Sequence, residues 1–400
     1  MLDAYVYDGI RTPFGRHAGC LAMVRPDDLL GDTIAALIKR APFDADDIED
    51  VICGCTSQAG EDSRNVARHA ALLAGLAPDI PGLTVHRQCG SSLNAVLDAA
   101  RCVTLGEGEL FMTGGVESMS RAPIVMGKSE KAYGRAVRAF DSTGGFRFPN
   151  PRFVKTYGEI SMPETADNVG RELDIGREES DVFALASQQK YAAAKADGFF
   201  ADELRSVEVP GAKRGETRTI ADDEHPRPDT SMEKLAKLKA LNADGVVTAG
   251  NASGVNDGAC ALYVGSRAAG EKASAEPLVR IISGGVAGVE PRVMGLGPVP
   301  ASKKALARAG LELKDMDVIE INEAFATQVL GCLKEMGIAF DDTRVNSNGG
   351  AIAVGHPLGA SGGRLALTAA RQLKRSGGRY ALVSLCVGIG QGIAAVFERA

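Results

Sequence analysis

The chain has 400 residues, 45% of them hydrophobic, with 48 glycines and a formal net charge of −6. That is enough apolar material for a large core in two or three domains. The acidic balance argues against a general nucleic-acid binder, whose footprint would be basic.

The N-terminal run MLDAYVYDGIRTPFGR has no basic segment followed by an apolar stretch, so no secretory leader is expected. Next, DDLLGDTIAALIKRAPFDADDIEDVICG reads as a helix, an acidic turn and a strand. Cys53 and Cys55 share that strand with a single spacer residue, which suits buried structural thiols better than a zinc knuckle. All eight cysteines are scattered along the chain, unlike a secreted disulfide scaffold. A reduced, soluble, cytoplasmic protein is expected.

In LTVHRQCGSSLNAVLDAARCV an apolar strand from Leu83 to Val85 runs into Cys89, and a helix starts near Gly90. Cys89 thus sits at a helix N-terminus, where free N–H groups and the dipole favour a thiolate. Taken alone, a cysteine at such a junction is more often packed than reactive. The helix then ends in a glycine stop followed by the strand ELFMTGG.

From about Met119 to Gly250 the composition changes. Charge, proline and glycine dominate (GGFRFPNP, KRGETRTIADDEHPRPDT), with a helical patch in ESDVFALASQQKYAAAKADGFF. An insertion this large is usually functional, so a lid or ligand-binding lobe is expected over 119–249. The last strand of the first half then comes only after Asn251, which divides the chain into 1–118 completed by 250–270, the lobe 119–249, and 271–400.

The second half echoes the first. A shift of 270 lays Ala99–Gly115 on Ala369–Leu385 without a gap, and carries Cys89 onto Gly359 and His86 onto His356. PASKKALARAGLELKDMDVIEIN repeats the helix, acidic turn and strand. Two similar α/β halves with mixed sheets follow. If they pack as a pseudo-symmetric pair, the helix N-termini after Cys89 and His356 converge, giving a Cys–His pair for nucleophilic catalysis.

Two more features face the same pocket in this reading. VIEINEAFATQ ends a buried strand in the polar pair Asn322-Glu323, either site residues or caps of the next helix. SLCVGIGQG ends a strand at Cys386, and its glycines expose N–H donors as an oxyanion hole needs; a small core cysteine is the alternative. From Tyr380 to Phe397 no charge occurs, but the glycines there suit two buried strands around a turn rather than a membrane span.

Together CGSSLNA (89–95), AGNASGVNDGA (249–259), NEAFA (322–326), NGGAIAVGHPLGASG (348–362) and C-x-G-x-GQG (386–392) resemble the thiolases along the full chain. The resemblance implies a five-layered αβαβα fold with a loop domain over the site. It implies cleavage or formation of a 3-oxoacyl thioester, with coenzyme A as second substrate and no metal or other cofactor. Cys89 would be the acyl-carrying nucleophile, His356 its activator and an oxyanion donor, and Asn322 the holder of a water in the same hole. Cys386 would be the second acid/base, and the N–H groups of Cys89 and Gly388 the second oxyanion hole. For coenzyme A it implies Ser253, Arg227, Met162, Met294 and Phe325, and for the assembly a homodimer or homotetramer.

Many members read C-x-G-G-G-Q-G where this chain has Ile389. A branched residue there, with QAGEDSRNVAR, GGFRFPNP and YGEISMPETADNV, resembles the 3-oxoadipyl-CoA branch, although CGSSLNA departs from that branch's commoner CASGMDA. Acetoacetyl-CoA and fatty 3-oxoacyl-CoA remain alternatives, as does a non-catalytic CoA- or lipid-binding relative. A decarboxylative condensing enzyme normally lacks the second cysteine. A dicarboxylate substrate should meet a cation at its acyl end, and Arg64 is the candidate by its loop.

Overall fold

The computed structural model describes residues 1–211 and 213–400. The first half builds β1 (Ala4–Arg11), β2 (Gly15–Arg16), α1 (Pro26–Arg40), β3 (Asp50–Gly54), α2 (Val66–Leu73), β4 (Gly82–Val85), α3 (Ser91–Leu105) and β5 (Leu110–Ser118). Local chemistry explains the boundaries. Helix α1 opens with Pro26, Asp27 and Asp28 and closes with Lys39 and Arg40, matching its dipole. Helix α3 stops at Gly106, whose φ of 74° suits a residue without Cβ.

Between β5 and its sheet neighbour β10 (Asn256–Gly265) the chain makes a long excursion. It carries two small ribbons, β6 (Ile124–Met126) with β7 (Ala139–Asp141) and β8 (Val207–Pro210) with β9 (Thr217–Ile220). It also carries α4 (Pro151–Tyr157), α5 (Met162–Glu172), α6 (Arg177–Ala196) and α7 (Met232–Ala236).

After α8 (Arg267–Ala273) the second half repeats the plan: β11 (Val279–Gly288), α9 (Pro298–Ala309), β12 (Val318–Ile321), α10 (Ala326–Met336), α11 (Ala351–Val354), α12 (Leu358–Ser376), β13 (Tyr380–Val387) and β14 (Gln391–Arg399). Helix α12 ends at Gly377 (φ 73°), one residue out of register with Gly106 under the shift of 270. The charge-free C-terminal stretch forms β13 and β14, as expected, and no described helix is long and apolar enough to cross a membrane.

The strand order is β12-β13-β14-β11-β1-β10-β5-β3-β4, and β1 joins β11 from Ala4↔Ile281 to Val6↔Val279. Each half-sheet is mixed. Antiparallel β1-β10-β5 continues into parallel β3 and β4; antiparallel β11-β14-β13 continues into parallel β12. A parallel bridge from Ile319 to Val345 stands where β4 stands in the first half.

Helices α1 and α2 cover the outer face of the first half-sheet, and α9 and α10 that of the second. Helices α3 and α12 lie between the half-sheets and touch both. The central core is theirs, with Leu93, Leu97, Leu365 and Leu367 buried between Ile52 and Leu262 on one side and Val383 and Phe397 on the other. This gives the five layers αβαβα. Because α3 and α12 follow Cys89 and His356, the central layer fixes where each of them stands.

Candidate active site

Cys89 lies in a pinned turn. Gln88 takes left-handed backbone (φ 44°), and Gly90 begins α3 without a side-chain cap. The Arg87 N–H donates to Ser91 Oγ (2.9 Å), and that hydroxyl donates to the Gln88 carbonyl (2.6 Å). A Cβ on Gly90 would stand 2.6 Å from Ile393 Cγ2 and 3.1 Å from Val387 Cγ2, so the turn is pressed against β13 and β14. The Gly388 N–H thereby faces the Cys89 sulfur, where it favours the charged form.

Cys89 itself is only partly exposed. Burial pushes its thiol up to about 11, and the N–H groups of Gly388 and Cys89 only partly offset this. The thiolate expected from the helix terminus is therefore not the resting form. Desolvation of the charged sulfur outweighs the local dipole.

His356 is held from every side. Its backbone N–H donates to Asn256 Oδ1 (2.9 Å), and Asn256 Nδ2 donates to the Gly15 carbonyl (2.9 Å). Gly355 passes so close to the Asn256 side chain that a Cβ would come within 2.7 Å of it. The ring Nδ1 is 2.6 Å from Ser361 Oγ, which donates its own hydrogen to the Pro357 carbonyl (2.8 Å). Ser361 must then accept from Nδ1–H, a tautomer assigned from this network. The Nε2 lone pair is left facing the site, where Asn322 Nδ2 donates to it at 3.3 Å. Burial, and secondarily the charge of Arg364, lower the imidazole to about 3, so it rests neutral.

The polar pair after β12 does not cap α10, whose N-cap is Phe325 with no side-chain bond. Asn322 points at His356 instead, while its Oδ1 is buried without a partner among the described residues. Such an acceptor is suited to a water or substrate group. Glu323 braces the following loop, accepting from Ser187 Oγ (2.6 Å), Asn346 Nδ2 (2.8 Å) and the Ile352 N–H (3.1 Å).

Cys386 is 0% exposed and packs with Ala252, Met294, Ala324 and Phe325, with Met162 at the edge. Burial raises its thiol well above the ordinary value, and a negative charge on Cys89 would raise it further. The Asn322 N–H donates to the Ser384 carbonyl (2.9 Å), tying the Asn322 loop to the strand that ends in Cys386. Met162, Met294 and Phe325 thus form one apolar wall with the second cysteine.

Ser253 is half-buried beside that wall, its N–H donating to the Ala324 carbonyl (2.9 Å). Arg227 lies elsewhere, on a cavity of about 420 Å³ with His225, Lys234, Leu238 and Gly250. Ser253 does not line that cavity. Arg64 is exposed, in left-handed backbone (φ 67°).

Three contributors were not anticipated. Ser361 fixes the imidazole tautomer, and the shift of 270 from Ser91 could have flagged it. Asn256 anchors the His356 backbone. Glu117, buried in β5, accepts from the Thr56 and Ser57 N–H groups (3.0 and 3.1 Å) and from the Gly359 N–H (3.0 Å), joining the halves at the start of α12.

Comparison with known proteins agrees with this geometry. The model of the thiolase N-terminal domain matches residues 4–268, and that of the thiolase C-terminal domain residues 275–399. A beta-ketoadipyl-CoA thiolase of Acinetobacter baylyi is 55% identical over the whole of both chains. The 3-oxoadipyl-CoA/3-oxo-5,6-dehydrosuberyl-CoA thiolase of Escherichia coli is 54% identical, also over both full lengths. Human mitochondrial 3-ketoacyl-CoA thiolase superposes with a TM-score of 0.91 at 38% identity, covering 100% of this chain and 99% of that one. Full-length matches on both halves, over a site of this build, leave one conclusion: the chain belongs to the thiolase family and is an acyltransferase.

Proposed function

We propose that the protein cleaves 3-oxoadipyl-CoA with coenzyme A to succinyl-CoA and acetyl-CoA, through an acyl group carried on Cys89. The substrate rests on the full-length relatives named for it, at 54–55% identity. The observation that carries the chemistry is the Cys89 turn pressed on Val387 and Ile393, which sets it against the strand end that bears Cys386 and Gly388.

The Cys89 sulfur attacks the C3 carbonyl while His356 Nε2 takes its proton. Both groups rest neutral, so transfer accompanies attack instead of preceding it. Breaking the C2–C3 bond releases the enolate of acetyl-CoA. Nε2, now bearing a proton, and a water on Asn322 stabilise its oxygen. The protonated Cys386 gives its hydrogen to the enolate carbon. Its thiolate then removes the proton of the incoming CoA thiol, whose sulfur attacks the acyl-Cys89 carbonyl; the acyl–Cys89 bond breaks, and the Cys89 sulfur leaves with the proton that His356 Nε2 holds. Once Cys89 is acylated, the Gly388 N–H has no thiol to serve and can donate to the developing oxyanion, with the Cys89 N–H. Acyl transfer of this kind asks for no metal or redox group; coenzyme A is a substrate.

The lobe 119–249 acts as the coenzyme A-binding lid, a reading supported by Arg227 within it. The protein works in the cytoplasm as a homodimer or homotetramer; the edge strand β4, with Leu83 49% exposed, supports self-association.

The test is to incubate the enzyme with 3-oxoadipyl-CoA without free CoA and digest it. A succinyl group is expected on the Cys89 peptide, and none in the Cys89→Ala variant. A kcat/KM for acetoacetyl-CoA above that for 3-oxoadipyl-CoA would overturn the substrate.

A further inference from the structure

Strands β13 and β14 are joined by the turn Gly388-Ile389-Gly390. Ile389 has φ 65°, and among the described residues it is the one β-branched side chain in left-handed backbone. Branching at Cβ makes this conformation costly, so the surroundings must impose it. They do so from both ends. The residues on either side of the turn, Val387 and Ile393, are pressed against Gly90. The Gly390 carbonyl accepts from the Val289 N–H (2.8 Å), and a Cβ on Gly390 would stand 2.9 Å from the Pro291 nitrogen. A glycine would suit position 389 better, yet the chain places there a branched apolar side chain that is 44% exposed.

The Ile389 side chain closes a narrow gap with Phe146, Phe153, Tyr157, Met162 and Pro291, leaving about 20 Å³. That is room for about one water. Met162 is common to this gap and to the wall around Cys386. The gap is therefore next to the place where an acyl group on Cys89 would extend once it passes Gly388.

We propose that Ile389 is a specificity-determining residue that limits the length of the acyl chain Cys89 carries. This rests on the reading of Cys89 as the acyl carrier. The strained backbone is retained because the side chain fills the far end of the acyl path, so long unbranched chains meet it and short ones do not. A purely structural residue here would be replaced by glycine with a gain in stability and no change in substrate preference.

The experiment compares the wild type with Ile389→Gly and Ile389→Ala. Thiolysis is measured on straight-chain 3-oxoacyl-CoA of four, six, eight and ten carbons and on 3-oxoadipyl-CoA, with Tm recorded for each protein. In Ile389→Gly the ratio of kcat/KM for the eight- and ten-carbon substrates to that for acetoacetyl-CoA should rise roughly tenfold, in line with the worth of a methylene in an apolar pocket. Ile389→Ala should give a smaller rise, and neither Tm should fall. Ratios within twofold of wild type would overturn the proposal. So would a lower Tm in both variants, because the side chain would then be holding the turn. The wild-type order of substrates tests the assignment of 3-oxoadipyl-CoA, whereas the change in that order tests Ile389, so the two can fail separately.

Discussion

Asn322 Nδ2 stands 3.3 Å from His356 Nε2, and the bond between them exists only while that nitrogen lacks a proton. The amide therefore aims the lone pair in the resting enzyme and must give way when the proton of Cys89 arrives. At that moment Asn322 Oδ1, buried and without a partner among the described residues, can hold a water against the new charge. Replacing Asn322 with alanine removes both services. The expected outcome is a fall in kcat of about 10²-fold, the cost of a lost oxyanion-hole donor, with KM for coenzyme A little changed. Steady-state thiolysis checks it; a loss below threefold would show that the amide takes no part.

The two neutral partners make a clear pH prediction. Burial raises Cys89 to about 11, above its ordinary 9.0, so the thiolate fraction stays small and grows about tenfold per pH unit through the neutral range. His356, lowered to about 3, stays neutral over that whole interval and contributes no inflection. Alkylation of Cys89 by iodoacetamide should therefore accelerate steadily from pH 7 to 10 without a plateau. His356→Ala should leave the slope intact. The rate must be read on the Cys89 peptide by mass spectrometry, because Cys102 is also partly exposed. A plateau below pH 8 would reveal a preformed thiolate–imidazolium pair.

These residues also show what the sequence made legible. The repeat was readable because helix stop and strand recur at fixed spacing, and Gly106 and Gly377 end α3 and α12 alike. Asn322 was visible as a polar residue closing an apolar strand, but only side-chain direction separates an imidazole partner from a helix cap. Asn256 and Glu117 carried no local signal; their partners His356 and Gly359 lie 100 and 242 positions away. The resting state of Cys89 was misjudged for a related reason. A helix terminus is a local feature, whereas desolvation depends on β13 and β14 closing over the turn.

The shift of 270 pairs Cys89 with Gly359, and the structure explains why the second half has no room for a side chain there. A Cβ on Gly359 would fall inside van der Waals contact of the Val116 carbonyl oxygen, 2.8 Å from that of Gly54 and 3.0 Å from Cys55 Cα. All three are backbone atoms that cannot swing aside. Gly359→Ala should cost about 3 kcal/mol, at the upper end of ordinary overpacking, and lower Tm by several degrees. It should also impair turnover by shifting His356. Gly144→Ala, where nothing lies within 4 Å, is the control and should be neutral. Equal Tm values for the two variants would mean that the α12 terminus is not pressed on β3 and β5.

Arg227 offers a way to separate binding from chemistry. It shares its cavity with two other basic side chains, but neither is a free cation. Lys234 Nζ is paired with Asp229 at 2.5 Å, and burial lowers His225 to about 4, so it is neutral near pH 7. Among the described residues the Arg227 guanidinium has no carboxylate partner, which leaves it to meet an anion such as a coenzyme A phosphate. A single exposed charge-assisted contact of this kind is worth about 1.4 kcal/mol, or tenfold. Arg227→Ala should therefore raise KM for coenzyme A roughly tenfold and leave kcat nearly unchanged, since the cavity does not include Cys89, His356 or Cys386. With a pantetheine thiol, which lacks the nucleotide phosphates, variant and wild type should perform alike. Raising the salt concentration should narrow the difference for coenzyme A, because an exposed contact is screened. A tenfold loss in kcat, or an equal loss with pantetheine, would mean that Arg227 supports the fold of the lobe instead of gripping the nucleotide.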